Sequence, residues 1–211
     1  MNTEAAARLN ALLPAAGLAA LDAATAAQFE TYLSLILRWN ARLNLISIRD
    51  ETMLCINHLA ESIVCARTLP DEIRTLLDYG SGAGLPGIPI ALCRREIAVT
   101  LAESQGRKAA FLREAVRVLE IKTKVYPARA ESLTEQFDCV TLRAVDKMPK
   151  AVATAARLLA PKGWLALMTT TRELAGLQTA AGPGFTWNKA LPMPFSKSRI
   201  LALGRRINSQ A

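Results

Sequence analysis

Histidine is nearly missing from this 211-residue chain: His58 is the only one. A zinc centre would therefore need unusual ligands, since such sites draw on closely spaced His and Cys. The four cysteines (Cys55, Cys65, Cys93 and Cys139) form no CxxC pair and no crowded framework. Reduced, buried thiols in a cytosolic protein are expected, and no metal. No apolar run approaches the roughly 18 residues of a membrane span. The start, "MNTEAAARLN", lacks the basic-then-apolar pattern of a signal peptide. Acidic residues thin out towards the end: residues 151–211 carry eight basic side chains against Glu173 alone.

What remains is the composition of a folded domain, 51% hydrophobic and 21% charged. The formal charge of +8 is concentrated in that last quarter. Such a local field suits a polyanion such as nucleic acid, or else a solubilising surface; charge alone leaves both open. Arg107, Lys108, Lys189, Lys197, Arg199, Arg205 and Arg206 are the candidate phosphate contacts.

Residues 1–70 read as a helical segment packing on a core formed by 71–211. "TAAQFETYLSLILRWNARLN" puts Phe29, Leu33, Ile36 and Leu37 on one stripe, with Thr25 as N-cap, and Asp50 could cap a second long helix that stops before Pro70. From Thr75 short apolar runs ("TLLDY", "IAVTLAE", "IKTKVY", "FDCVTLR", "GWLALMT") alternate with helical patterns near 87–95, 106–120, 130–136 and 149–160. That alternation predicts an α/β fold with a mostly parallel sheet covered on both faces. The tail breaks it: after a short helix near 171–178, "FTWNKALPM" and "RILALGRR" read as an antiparallel pair at the sheet edge.

The stretch "LLDYGSGAGLPGIP" (76–89) joins a strand to a helix through Gly80, Gly82, Gly84 and Gly87. Glycines at such a junction let a ligand approach the backbone, and the helix start offers unpaired N–H groups. From Gly82 the pattern matches the dinucleotide fingerprint, yet Asp78 before the turn would repel a pyrophosphate and Pro86 removes a donor. S-adenosylmethionine suits these residues better, with Asp78 holding its ammonium directly or through water. Glu103 stands twenty-three residues after Gly80, the spacing of a ribose-binding acid; a helix N-terminal charge is the compatible alternative, and beside the glycine turn the ribose role is favoured. A nicotinamide-dependent oxidoreductase and a non-catalytic RNA-binding assembly factor are the alternative readings.

"DYGSGAGLPGIPIAL", "LAESQGRKAAFLREAVRVL", "ARAES" and "FDCVTLRAVDKM", with "ARLNLISIRD" and "HLAESI" before them, resemble the RsmG (GidB) family. The resemblance implies a Rossmann-like class I methyltransferase fold: a mostly parallel seven-stranded sheet with an antiparallel C-terminal edge strand, plus N-terminal helices. It implies methyl transfer from S-adenosylmethionine to N7 of a guanine in 16S ribosomal RNA near the decoding centre. It also implies that Gly80, Gly82, Gly84 and Leu85 bind the cofactor, that Glu103 takes the ribose, and that Ala130 and Glu131 face the adenine. Arg143 would lie at the mouth, and Asn44 and Arg49 would reach over the cleft. The sequence departs from the family at Glu103 and Glu61, where Asp is usual, and at Leu142, where Ser is usual.

A guanine N7 needs no deprotonation, and the chain lacks the Asn/Asp-Pro-Pro-Tyr and Pro-Cys segments used on amines and on cytosine C5. No general base is expected, and His58 reads as a packed, hydrogen-bonded residue. Arg143 is the candidate contact to the guanine or its phosphate, the alternative being a salt bridge to Asp146 or Glu131. A cytoplasmic monomer acting on 16S rRNA or the small ribosomal subunit, without membrane or metal, is the expectation.

Overall fold

The change of rhythm at Thr75 separates helices from alternating strands and helices. In the computed structural model, which describes residues 4–43, 45–46, 51–194 and 196–207, three helices come first: α1 (Glu4–Leu12), α2 (Ala23–Leu43) and α3 (Glu51–Thr68). The apolar stripe of α2 is buried at Phe29, Leu33 and Ile36, and Tyr32 completes it. Asp22, not Thr25, caps this helix. Its carboxylate accepts the Thr25 backbone N–H at 2.9 Å and the Thr25 hydroxyl at 2.7 Å. The expected cap Asp50 lies outside the described residues.

Then follow β1 (Thr75–Tyr79), α4 (Gly87–Cys93), β2 (Ala98–Ala102), α5 (Gly106–Val118), β3 (Thr123–Tyr126), β4 (Phe137–Arg143), α6 (Met148–Arg157), β5 (Leu159–Thr170) and α7 (Leu174–Ala181). The tail adds β6 (Phe185–Trp187), β7 (Leu191–Pro192) and β8 (Arg199–Arg206). The helix expected over 130–136 is only a 3-10 turn, Ala130–Ser132. The Ser132 hydroxyl folds back onto the Arg129 carbonyl at 2.7 Å, and Leu133 is already extended. This is the local competition by which serine disfavours helix.

The strands form one sheet in the order β3-β2-β1-β4-β5-β8-β6, with β7 also paired to β8. The four pairings from β3 to β5 are parallel, and those of β8 are antiparallel. Eight strands replace the expected seven, because the tail contributes two short ones. The C-terminal strand β8 lies one place in from the edge, between β5 and β6. Its own sequence explains that position: Ile200 to Gly204 are buried without a break, as an interior strand requires, while β7 is exposed. Gly204 completes the fit, since a Cβ there would meet the Trp187 ring at 2.8 Å.

Successive residues of the strands feed opposite faces. Leu76, Val99, Leu101 and Cys139 pack with α1 to α5 in one cluster. Leu77, Val140 and Leu142 pack with α6 and α7 in another. The N-terminal helices therefore supply much of the cover on one face, and their core is continuous with that of the sheet.

Candidate functional site

A cavity of about 760 Å³ opens at the carboxyl ends of β1, β2, β4 and β5 and the start of β8, with α3 at its back. Its position is the one at which parallel α/β sheets bind ligands. The glycine turn forms the floor. Gly80, Gly82 and Gly84 have φ of 69°, 56° and 85°, a region that side chains rarely enter. Gly80, Gly82 and Leu85 line the cavity, whereas Gly84 packs backwards, where a Cβ would lie 2.5 Å from Ile88.

The turn is held from three sides. Ser81 donates its backbone N–H to the Ala102 carbonyl at 2.9 Å, and Gly82 donates its own to Glu103 Oε2 at 2.9 Å. From the opposite side Tyr32, fully buried on α2, donates its hydroxyl to the Ala83 carbonyl at 2.5 Å. Asp78 braces it from below. The Asp78 side chain is 1% exposed, accepting the Gly87 N–H at 3.1 Å and the Thr141 hydroxyl at 2.9 Å. Burial pushes its carboxyl up to about 6, against the opposing pull of those hydrogen bonds.

This placement corrects the sequence expectation for Asp78, which is not on the cavity wall. The alternation of β1 turns its side chain under the turn, where it takes the first N–H of α4. That donor is therefore unavailable to a pyrophosphate. Gly87 has to be glycine for the same reason, because a Cβ there would lie 2.4 Å from Leu101 and 2.6 Å from Asp78 Oδ2.

Glu103 does face the cavity, at 6% exposure. Its two oxygens accept Gly82 N–H (2.9 Å) and Gln105 N–H (2.7 Å). Each keeps a further lone pair, so the carboxylate is fixed and still able to accept from a ribose diol. Together with the Cβ-free positions Gly80 and Gly82 of the floor, this fits the nucleoside of S-adenosylmethionine. Ala130 is buried and Glu131 exposed just beyond β3, and neither lines the cavity.

A buried polar cluster closes the far wall. Glu61 of α3 is 1% exposed; its Oε2 lies 3.4 Å from Arg143 and its Oε1 2.7 Å from Arg199. His58, one turn earlier, meets Arg143 through Nδ1. A ring nitrogen facing a guanidinium N–H must accept, so this imidazole is neutral. Burial, the largest influence, pushes the His58 pKa below its usual value despite Glu61. Arg143 thus pairs with Glu61, not with Asp146 or Glu131. Sequence reading left Glu61 without a role, although its i, i+3 spacing from His58 set both on one helix face. Burial pushes the thiols of Cys65 and Cys93 up to about 12 and about 11, and that of Cys139 well above its usual range. Nucleophilic thiolates are not available there. Among the described residues no group of His, Cys, Asp and Glu could hold a metal, and no helix is long and apolar enough to cross a membrane.

The profile of a family described as rRNA small subunit methyltransferase G matches residues 25–183. The chain belongs to that family. A ribosomal RNA small subunit methyltransferase G from Xanthomonas euvesicatoria is 43% identical over 151 residues, 70% of each chain. One from Roseiflexus is 40% identical over 157 residues, covering 68% of this chain and 67% of its own. Solved structures agree on the fold. A predicted O-methyltransferase from Agrobacterium tumefaciens superposes with a TM-score of 0.58 at 19% identity, covering 72% of this chain and 82% of its own. A ribosomal protein L11 methylase from Lactobacillus delbrueckii gives 0.60 at 13%, covering 72% and 79%. A class I methyltransferase fold and membership of the rRNA methyltransferase G family therefore stand together.

The structure divides the basic residues of this family member into two sets. Lys108 and Arg199 line the cavity, and Arg107 stands exposed beside Lys108 at the start of α5. Lys197 is exposed in the loop leading to Arg199. Lys147 and Arg172, exposed after β4 and β5, join this rim and were not singled out from sequence. Lys189 sits on the outer edge between β6 and β7. Arg205 and Arg206 lie at the opposite end of the sheet. Arg205 pairs across from Trp164 and stacks on its ring at 5.4 Å. Arg206 donates to the Leu159 carbonyl at 2.9 Å. Asn44 and Arg49 lie outside the described residues.

Proposed function

We propose that this chain transfers a methyl group from S-adenosylmethionine to N7 of a guanine in 16S ribosomal RNA, as a cytoplasmic monomer. One observation about the cavity wall carries the choice of atom: its buried proton acceptors are already engaged, and the further lining carboxylate, Asp146, stands exposed at the rim. Glu61 serves two arginines, Glu103 two backbone N–H groups, and His58 Nδ1 faces Arg143. Glu173 accepts the hydroxyls of Thr169 (3.0 Å) and Thr170 (2.7 Å), which hold its carboxyl below the usual range and make it a weak base. A wall of this kind suits a nucleophile that already exposes a lone pair, and guanine N7 is one.

The donor supplies an electrophilic methyl on sulfur. The chain's residues supply position. Glu103 fixes the nucleoside against the glycine floor, Arg143 at the end of β4 faces the incoming base, and the rim of Arg107, Lys108, Lys147, Arg172 and Lys197 meets the RNA backbone. Holding the reactants in line is where a catalyst without acid or base gains its rate. The name of the family and the 43% identical relative support the small-subunit RNA as the substrate.

The test is incubation of the protein with radiolabelled methyl donor and small subunits lacking the modification, followed by mapping of the methylated base. Label at guanine N7 is the expected result. Label on an exocyclic amine, or on protein, would refute the assignment.

A further inference from the structure

The cluster at the far wall has hydrogen-bonding capacity left over. Arg143 and Arg199 bring two positive charges, Glu61 stands within ion-pair distance of both, Asp78 acts on Arg143 from beneath the glycine turn, and His58 is neutral. Side-chain exposure is 12% for Arg143, 14% for His58, 1% for Glu61 and 34% for Arg199. The hydrogen bonds are not all made: Arg143 Nη1 and Arg199 Nε are buried without an acceptor, and Glu61 Oε1 accepts none despite its ion pair. Buried donors of this kind are normally matched, because an unmet one is costly away from water. Both arginines line the cavity. Two guanidinium groups that share one carboxylate, line one cavity and each carry an unmet N–H describe a place for one oxyanion.

We propose that Arg143 and Arg199 form a built oxyanion subsite that takes the phosphate of the nucleotide being methylated, with Glu61 as the buried carboxylate that positions both guanidiniums. The subsite rests on the methyl-transfer reading for its ligand, but not for its geometry. The surroundings of Arg199 favour phosphate over the carboxylate of the methyl donor. Arg199 opens β8, on the other side of β1 from the ribose acid that follows β2, and its head reaches back to Glu61 beside Arg143 on β4. It is 34% exposed and follows the exposed rim residue Lys197, so the subsite opens towards the basic rim. The clamp also ties three elements into one wall: Glu61 from α3, Arg143 from β4 and Arg199 from β8.

The test uses the full chain with Arg199→Gln and Arg199→Lys. S-adenosylmethionine binding is measured by calorimetry without RNA, binding of unmodified small subunits is measured across a salt series, and the melting temperature is recorded. Arg199→Gln is expected to leave the donor Kd within twofold, to weaken subunit binding about tenfold, and to lower the slope of log K against log salt by about one. Arg199→Lys keeps the charge without the fork, so it should retain the slope and lose part of the affinity. A variant with a lowered melting temperature but wild-type subunit Kd and slope would make the pair a structural strap and overturn the proposal. A tenfold loss of donor binding with unchanged subunit binding would assign the oxyanion to the donor's carboxylate, which also overturns it. Failure of the wild-type protein to bind S-adenosylmethionine would strike the methyl-transfer reading, while the subunit-binding comparison still decides the subsite.

Discussion

Replacing Asp78 by Asn separates two roles for one carboxylate: brace of the glycine turn, or partner of the donor's ammonium. In the folded protein burial raises the Asp78 carboxyl from 3.8 to about 6. Between those values the native state holds more protons than the unfolded chain, so stability falls as pH rises through that window. At 1.36 kcal/mol per pH unit the penalty reaches about 3 kcal/mol and is fully present above pH 6. Asn carries no charge to bury. Its carbonyl can still accept the Gly87 N–H, and its amide can donate to the Thr141 hydroxyl, which now serves as acceptor. Asp78→Asn should therefore be more stable than wild type at pH 8, by up to about 3 kcal/mol, and should lose the slope between pH 4 and 6. Urea unfolding at pH 4.5, 6 and 8 measures both effects. Calorimetry with S-adenosylmethionine supplies the other half, with affinity expected within threefold of wild type. A tenfold or greater loss of affinity with unchanged stability would refute the brace and return Asp78 to the ligand.

Tyr32→Phe leaves the Ala83 carbonyl without its buried donor, a loss of about 1–3 kcal/mol; calorimetry should show donor binding weakened several-fold while the melting temperature falls. Gly87→Ala forces a Cβ to within 2.4 Å of Leu101, and urea unfolding should show a cost of about 2–3 kcal/mol. Glu103→Gln keeps an acceptor but loses the charge and one of two backbone bonds, so donor affinity should drop about tenfold with RNA binding unchanged. Lys108→Gln and Lys197→Gln should each reduce the salt slope of RNA binding by about one, whereas Arg205→Gln should leave it unchanged and act only on stability.

The elements legible in the sequence are those whose burial is complete on both faces. "TLLDY" and "FDCVTLR" are β1 and β4 to the residue, because an interior parallel strand is mostly apolar, Asp78 and Asp138 being the internal charged exceptions. What escaped depends on pairing between distant segments. Nothing local places "RILALGRR" inside "FTW", since strand order is a tertiary choice. The same fact split the basic tail: Arg199 and Arg206 open and close β8, so at about 3.3 Å per residue they stand roughly 23 Å apart. In sequence they form one positive run, but in the fold only Arg199 reaches the cavity. Asp78 was legible as an important acid but not in its direction, which follows from strand alternation. The cluster of His58, Glu61, Arg143 and Arg199 gathers residues from α3, β4 and β8, and only the i, i+3 pair on α3 had a local signal.

The position of β8 has a consequence for the order of assembly. It leaves the ribosome after the seven other described strands, yet it belongs inside the sheet, and until it arrives β5 presents a long unpaired edge. The same strand brings Arg199 and completes the cavity wall. A chain still being synthesised has its glycine floor and Glu103 but an open far side. That side closes only when β8 has been translated and has paired with β5. Truncations before Arg199 should therefore aggregate through β5 instead of yielding a smaller working enzyme.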